Sequence, residues 1–289
     1  MKATGRPVVV VGAAGYQGAA AVRHLRSLAV ETRALFDERD ERRRDRGGDE
    51  SGTLVADFDD PGSLTSALHG AGALIVVLED PATGPDDRLR HGRALADAAL
   101  EAEVGRLVFV AATGADHHRL ACDVSTATEQ HLREIGAPAT VLRPATFMEE
   151  VPWYWLSRLG RDLTLATPFE AGAHLPLVAL EDVGVLAALA VTRPEEFADR
   201  TIAVAGDIAT PLELAAQLSA GLGEPVRHEA VQVEGVFIYQ EASTPVHDID
   251  WLRSVHPGLR TFAGWLDDGG LDLCRRRLEA AKGGGRGTS

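Results

Sequence analysis

Three glycines mark the clearest chemistry in this chain of 289 residues. Gly12, Gly15 and Gly18 stand in Val-Val-Val-Val-Gly-Ala-Ala-Gly-Tyr-Gln-Gly, which joins an apolar run to an amphipathic one. Glycines at such a junction let the chain turn tightly and let its backbone approach a pyrophosphate. The N-terminus of the following helix offers N–H donors and a partial positive charge to the same phosphates. Tyr16 and Gln17 lie within the turn and count with the glycines as cofactor-binding candidates. Asp37 follows just beyond the second β-branched run. An acid about 20 residues after the glycines accepts the ribose hydroxyls of NAD and repels the extra phosphate of NADP. Arg39, Arg42 and Arg43 stand close by and could fold back onto a 2′-phosphate. Acid and arginines pull in opposite directions, and the balance favours NAD(H) over NADP(H). Asp57, followed by Phe58, ends the third apolar run, where it is placed to reach the adenine edge.

Proton chemistry is harder to place. Tyrosine occurs only at 16, 154 and 239, and lysine only at 2 and 282. A Tyr-x-x-x-Lys pair uses the lysine to lower the phenol pKa. Here the positions four residues after each tyrosine hold Ala20, Arg158 and Ser243. Thr113, Asp116, His117 and His118 cluster after the fifth apolar run, where the strand ends of a doubly wound sheet converge over a ligand. Thr113, His117 and His118 are therefore the catalytic candidates, histidine being a general acid or base near neutral pH. Solvent-facing loop histidines are the competing reading. Phe147, Glu149, Trp153, Tyr154 and Trp155 lie in one aromatic segment that suits a flat, apolar ligand, and equally suits packing between lobes. Metal-ligand spacing is absent, with neither His-x-x-x-His nor Cys-x-x-Cys. The chain also lacks a Gly-x-Ser-x-Gly elbow, and the want of an interior lysine excludes Schiff-base chemistry and a Walker lysine.

The elements that must position these residues follow from periodicity. Solid apolar runs predict strands at Val8–Val11, Glu31–Leu35, Thr53–Ala56, Ala73–Leu78, Arg106–Ala111 and Ala139–Leu142. Alanine-rich amphipathic stretches between them predict helices at Gln17–Leu28, Pro61–Leu68, Asp86–Ala102 and Ser125–Ile135. This alternation predicts an α/β fold, a Rossmann-type doubly wound parallel sheet, over residues 1–152. The helix Leu180–Val191 and the strand Thr201–Ala205 are expected to rejoin it, within residues 178–206. Residues 153–177 and 207–281 are expected to form a smaller, mainly helical C-terminal substrate lobe, with helices at Pro211–Gly221 and Asp250–Val255. The glycine-rich 282–289 reads as a disordered tail.

Composition narrows the partners. The formal charge of −14 repels phosphate backbones and anionic lipid heads, which argues against direct nucleic-acid or membrane binding. Two distant cysteines, Cys122 and Cys274, suit a reducing compartment. The apolar run at Val8 is too short for a signal segment or a membrane span, so a cytoplasmic protein is expected. The expected partner is a small apolar or aromatic molecule, and a homodimer is left open.

Several segments in order resemble the NmrA-like branch of the atypical short-chain dehydrogenases. They are Gly12–Gly18, Arg33–Leu35, Ala56–Pro61 with Ser63 and Leu64, Ala94–Ala99, Leu142–Glu149, Val178–Gly184, and His256–Phe262 with Trp265 and Leu266. The resemblance implies a Rossmann domain, a small C-terminal lobe and a cleft between them. It also implies either reductases of quinones and aromatic compounds or regulators that bind the nucleotide without turnover. The departures are specific. The lysine that often opens the helix after the fifth strand aligns with Ser125, and the serine at that strand's end aligns with Ala111. The nucleotide-reading arginine after the second strand is replaced by Asp37. The leading expectation is hydride transfer to a planar apolar ketone or quinone without the Tyr-x-x-x-Lys dyad, since a quinone can take its proton from water. The alternatives are a non-catalytic redox-sensing regulator and a non-redox dehydratase, cyclase or isomerase using His117, His118 or Glu149.

Overall fold

The four valines of β1 (Val8–Val11) are all buried, as a strand covered by helices on both faces must be. They belong to a computed structural model that describes residues 5–40, 52–78, 83–111, 119–159, 162–232 and 248–283. The chain divides into two compact units. The first holds the described residues up to Ala111 together with 119–144 and 180–203, and the second holds 145–179 and the described residues from 204 onward.

In the first unit β1 is joined by β2 (Thr32–Asp37), β3 (Thr53–Ala56), β4 (Ala73–Val77), β5 (Leu107–Val110) and β6 (Ala139–Pro144). With β11 (Thr201–Val204), numbered in chain order, they form a seven-stranded sheet of order β11-β6-β5-β4-β1-β2-β3. β1 pairs in parallel with β2 on one side and β4 on the other, so the winding reverses there. Open α/β sheets bind ligands beyond the strand C-termini at such a reversal. The register of β2 on β3 sets Asp37 opposite Ala56, which brings Asp37 and Asp57 to the same edge.

The helices of this unit are α1 (Tyr16–Ser27), α2 (Pro61–Leu68), α3 (Pro85–Glu101), α4 (Arg119–Glu134), α5 (Leu180–Thr192) and α6 (Pro194–Phe197). α2 starts where its acids and proline require, with the Asp60 side chain accepting the Gly62 N–H at 3.0 Å. Val9, Leu35, Leu64, Leu74, Leu95 and Phe109 form the core, each contributing roughly 1.5–3 kcal/mol on full burial.

The second unit differs in texture. Its strands are β7 (Thr146–Phe147), β8 (Leu156–Leu159), β9 (Asp162–Thr167), β10 (Leu175–Val178), β12 (Asp207–Ala209) and β13 (Val226–Ala230). They make two three-stranded sheets, β12-β10-β7 and β13-β9-β8, which the sequence pattern did not show. The helices are α7 (Pro211–Leu222), α8 (Ile249–Val255), α9 (Phe262–Trp265) and α10 (Leu271–Gly283). A π-helical turn, Val151–Trp155, and a kinked stretch, Leu266–Gly270, in which Gly269 takes φ +108°, complete the unit. Met148, Trp155, Leu165, Leu177, Leu214 and Phe262 fill its core. Among the described residues no helix is long and apolar enough to cross a membrane.

Candidate functional site

The glycine turn between β1 and α1 separates what the fold needs from what a ligand needs. Gly12 has φ +79°, and a Cβ there would lie 2.2 Å from the Val77 carbonyl oxygen. Gly18 is excluded from change by packing, since its Cβ would lie 2.2 Å from the Gly12 carbonyl oxygen. Gly15 is different. Its φ of −79° and ψ of 171° suit any residue, and a Cβ would meet nothing closer than the Gly12 oxygen at 3.4 Å. Neither conformation nor internal packing requires glycine at 15, and its missing side chain leaves room for an outside group to approach the backbone.

Behind that position the N-terminus of α1 has no side-chain cap and no acid in its first turn. By contrast, α2, α7 and α9 are closed by Asp60, Thr210 and Thr261. The first-turn N–H groups of α1 and its positive dipole end therefore suit an anion, and a pyrophosphate fits that donor set. Tyr16 is 69% exposed at this turn, while Gln17 is buried at the root of the helix.

At the C-terminal ends of β2 and β3, carboxylates surround one arginine. The backbone N–H of Arg39 donates to Asp37 Oδ1 at 2.9 Å. Its guanidinium donates from Nε to the same oxygen at 3.0 Å and from Nη2 to Asp37 Oδ2 at 3.2 Å. Nη1 reaches Asp59 Oδ2 at 2.7 Å, and Nη2 reaches Asp57 Oδ1 at 3.3 Å. The hydrogen bonds it donates to Asp37 and then to Asp59 push the Arg39 pKa above its ordinary value. Asp59 is gripped from its other oxygen by Arg90 Nε at 2.7 Å, and His91 Nε2 lies 3.4 Å from that oxygen. Arg90 first and Arg39 second hold the Asp59 carboxyl far below the usual carboxylate range. Asp59 and Arg90 take part in this edge, although the sequence marked Asp59 only as an acid before the Pro61 helix and did not mark Arg90. The signal was there in part, since Asp57 and Asp59 alternate across one turn, but the partner on α3 is a tertiary matter.

Thr113, Asp116, His117 and His118 lie outside the described residues. Ala111 and Ser125, the aligned places of the usual serine and lysine, are both buried. Two aromatic candidates are buried. The Phe58 ring belongs to the core and packs edge-on to His91 at 5.4 Å, and the Trp155 ring is buried against Phe169 at 6.0 Å. Aromatic type marked these residues, but the side-chain direction is set by burial. In the second unit Glu149 accepts from Trp265 Nε1 at 3.1 Å, which gives a buried indole its partner. Phe147 is half-buried and donates its N–H to buried Glu150 Oε1 at 3.4 Å. Trp153 and Tyr154 meet edge-to-face at 6.4 Å, and Tyr154 is 67% exposed. The unit also pairs Thr167 Oγ1 with His228 Nε2 at 2.9 Å, and burial lowers the His228 pKa. No cluster of metal-ligating side chains occurs among the described residues.

A parallel seven-stranded sheet, a winding reversal at β1 and a glycine turn into an uncapped helix define a Rossmann-type dinucleotide fold. The chain belongs to the NmrA-like family, whose sequence model matches residues 4–245. It is 31% identical over 178 residues to a (4-alkanoyl-5-oxo-2,5-dihydrofuran-3-yl)methyl phosphate reductase of Streptomyces griseus subsp. griseus. That match spans 61% of this chain and 61% of the length of the relative. An NAD(P)H azoreductase of Xenophilus azovorans is 27% identical over 230 residues, 78% of each chain. In three dimensions NmrA, a negative transcriptional regulator, matches with a TM-score of 0.75 at 16% identity, covering 96% of this chain and 98% of that one. The same regulator is known in complex with NAD and with NADP. The fold is thus that of NAD(P)-binding NmrA-like proteins.

Proposed function

We propose that this protein is an oxidoreductase that binds NAD(H) in preference to NADP(H) and transfers hydride to a planar, apolar ketone or quinone. The observation that carries the reading is Gly15, a glycine that its own fold does not need, facing the uncapped start of α1. Gly12 and Gly18 shape the turn, and the first-turn N–H groups of α1, including those of Tyr16 and Gln17, hold the pyrophosphate. Asp37 accepts the adenosine ribose hydroxyls, and Asp57 meets the adenine edge. A reduced nicotinamide, when bound, supplies the hydride. The chain lacks Tyr-x-x-x-Lys, so the proton comes from water or from the stretch carrying Thr113, His117 and His118. A quinone suits this supply, because one hydride and one proton from water complete its reduction to the hydroquinone. Trp153 and Tyr154 offer an exposed aromatic face for a flat ligand, with Phe147 and Glu149 in the same segment. Both sequence relatives named above are reductases, which supports the redox reading.

The test is a fluorescence titration of the protein with NADH and NADPH, followed by a panel of small quinones while the absorbance of the reduced nicotinamide is recorded. NADH binding with quinone-dependent oxidation is the expected result. Tight binding with no turnover across the panel moves the assignment to a nucleotide-sensing regulator. Failure to bind either nucleotide overturns the proposal.

A further inference from the structure

An arginine just beyond the second strand of a Rossmann sheet is the group that ordinarily receives a 2′-phosphate. Asp37 ends β2 in its place, and Arg39, two residues further on, has its guanidinium turned into the protein's own carboxylates. Asp37 holds Nε and one face of Nη2, Asp57 shares Nη2 at 3.3 Å, and Asp59 takes Nη1 at 2.7 Å. Every nitrogen of the fork thus points at a carboxylate. Asp59 makes the shortest of these contacts, and its second oxygen is held by Arg90 Nε at 2.7 Å. Arg90 in turn pairs with Asp87 at 2.7 Å, so the chain of charges runs from the β2 edge to the first turn of α3. The turn that carries Asp59 is itself pinned. The Asp59 N–H donates to Asp57 Oδ1 at 2.9 Å, and the Asp57 N–H to Ser63 Oγ at 3.1 Å.

We propose that Asp59 is a positioning residue that withholds Arg39 from a 2′-phosphate, and that the nucleotide preference is set by this latch as well as by Asp37. The proposal rests on the nucleotide-site reading given above. A 2′-phosphate needs a free, forked donor. Here it meets an occupied arginine among three acids, so it both loses a partner and gains repulsion. Removing the Asp59 charge leaves Nη1 without its carboxylate and lowers the negative charge of the edge in one step.

The experiment measures dissociation constants of NADH and NADPH, at low and high salt, for the wild-type protein and its variants. Asp59→Asn is expected to improve NADPH binding relative to NADH by about fivefold, the effect of one charged hydrogen bond in a partly exposed setting. NADH affinity itself should move by less than about twofold, since hydroxyl recognition is left to Asp37. The gain should shrink as salt rises, because exposed charges are screened. Asp59→Glu should restore the wild-type ratio, and Arg39→Ala added to Asp59→Asn should cancel the gain. General structural damage weakens both nucleotides together and leaves the ratio unmoved, so it is distinguished from release of the latch. If Asp59→Asn binds NADH normally with an unchanged ratio, the latch is wrong and the nucleotide site stands. If wild-type protein binds neither nucleotide, both the site and the latch fall.

Discussion

At the glycine turn the groups offered to a ligand are main-chain N–H groups, held by the packing of α1 against β1. At the edge of β2 and β3 they are side-chain carboxylates, gathered around Arg39, with Arg90 also on Asp59. The first end cannot be altered at Gly12 or Gly18 without disturbing the sheet, because their missing Cβ atoms are filled by neighbouring backbone. The second end is half-exposed, and exposed ion pairs contribute little to folding. One end of the site is therefore coupled to stability and indifferent to nucleotide type, while the other is free to set nucleotide type at little cost to stability.

The largest test of this contrast is Gly12→Ala. It forces a left-handed backbone on a residue with a side chain and drives a Cβ against the Val77 carbonyl, for an expected loss of about 3–5 kcal/mol of stability. Urea unfolding would show it, and a loss below about 1 kcal/mol would mean that the turn yields more easily than its packing implies. Gly15→Val comes next and acts on the ligand alone. NADH binding should fall about 100-fold, as when a side chain is forced into a packed contact, while the unfolding midpoint hardly moves. Parallel losses of stability at both positions would erase the distinction between a glycine of the fold and a glycine of the site.

Asp37→Asn is expected to weaken NADH about tenfold through loss of a charged acceptor, and to improve NADPH at the same time. Equal weakening of both nucleotides would show that Asp37 is a structural partner of Arg39 and no reader of the ribose. The smallest effect is expected from Arg90→Gln, which removes one of the two arginines on Asp59. Thermal unfolding should be unchanged within error, and the same variant should leave Gly15-dependent NADH binding intact. A clear loss of stability there would contradict the view that this edge is detached from folding.

Legibility from sequence divided along similar physical lines. β1, β3 and α2 appear with the bounds their patterns predicted, because a solid valine run, a β-branched run before an acid, and an acid–proline start are local signals. The sheets of the second unit were not visible. β7 has two residues, and β13 reads Val-Arg-His-Glu-Ala with only Val226 buried, so neither carries the alternation that marks a strand. The glycines and Asp37 were legible by spacing. The burial of Phe58 and Trp155 was not legible, because an aromatic residue looks the same in a core as in a pocket until burial is known.

The sequence by itself determined the parallel α/β character of the first unit, the glycine turn, the acid at the end of the second strand and the absence of a Tyr-x-x-x-Lys pair. These follow from residue type and short-range spacing, which act through backbone conformation and hydrophobic period. Tertiary structure decided which glycine belongs to the fold and which is left for a ligand, because that depends on the Val77 carbonyl brought in from a neighbouring strand. It also decided that Arg39 answers to Asp57, Asp59 and, through Asp59, to Arg90, residues far apart in the chain. Charge pairing acts over a few ångströms of space, and only the register of β2 on β3 and the placement of α3 bring those charges within reach.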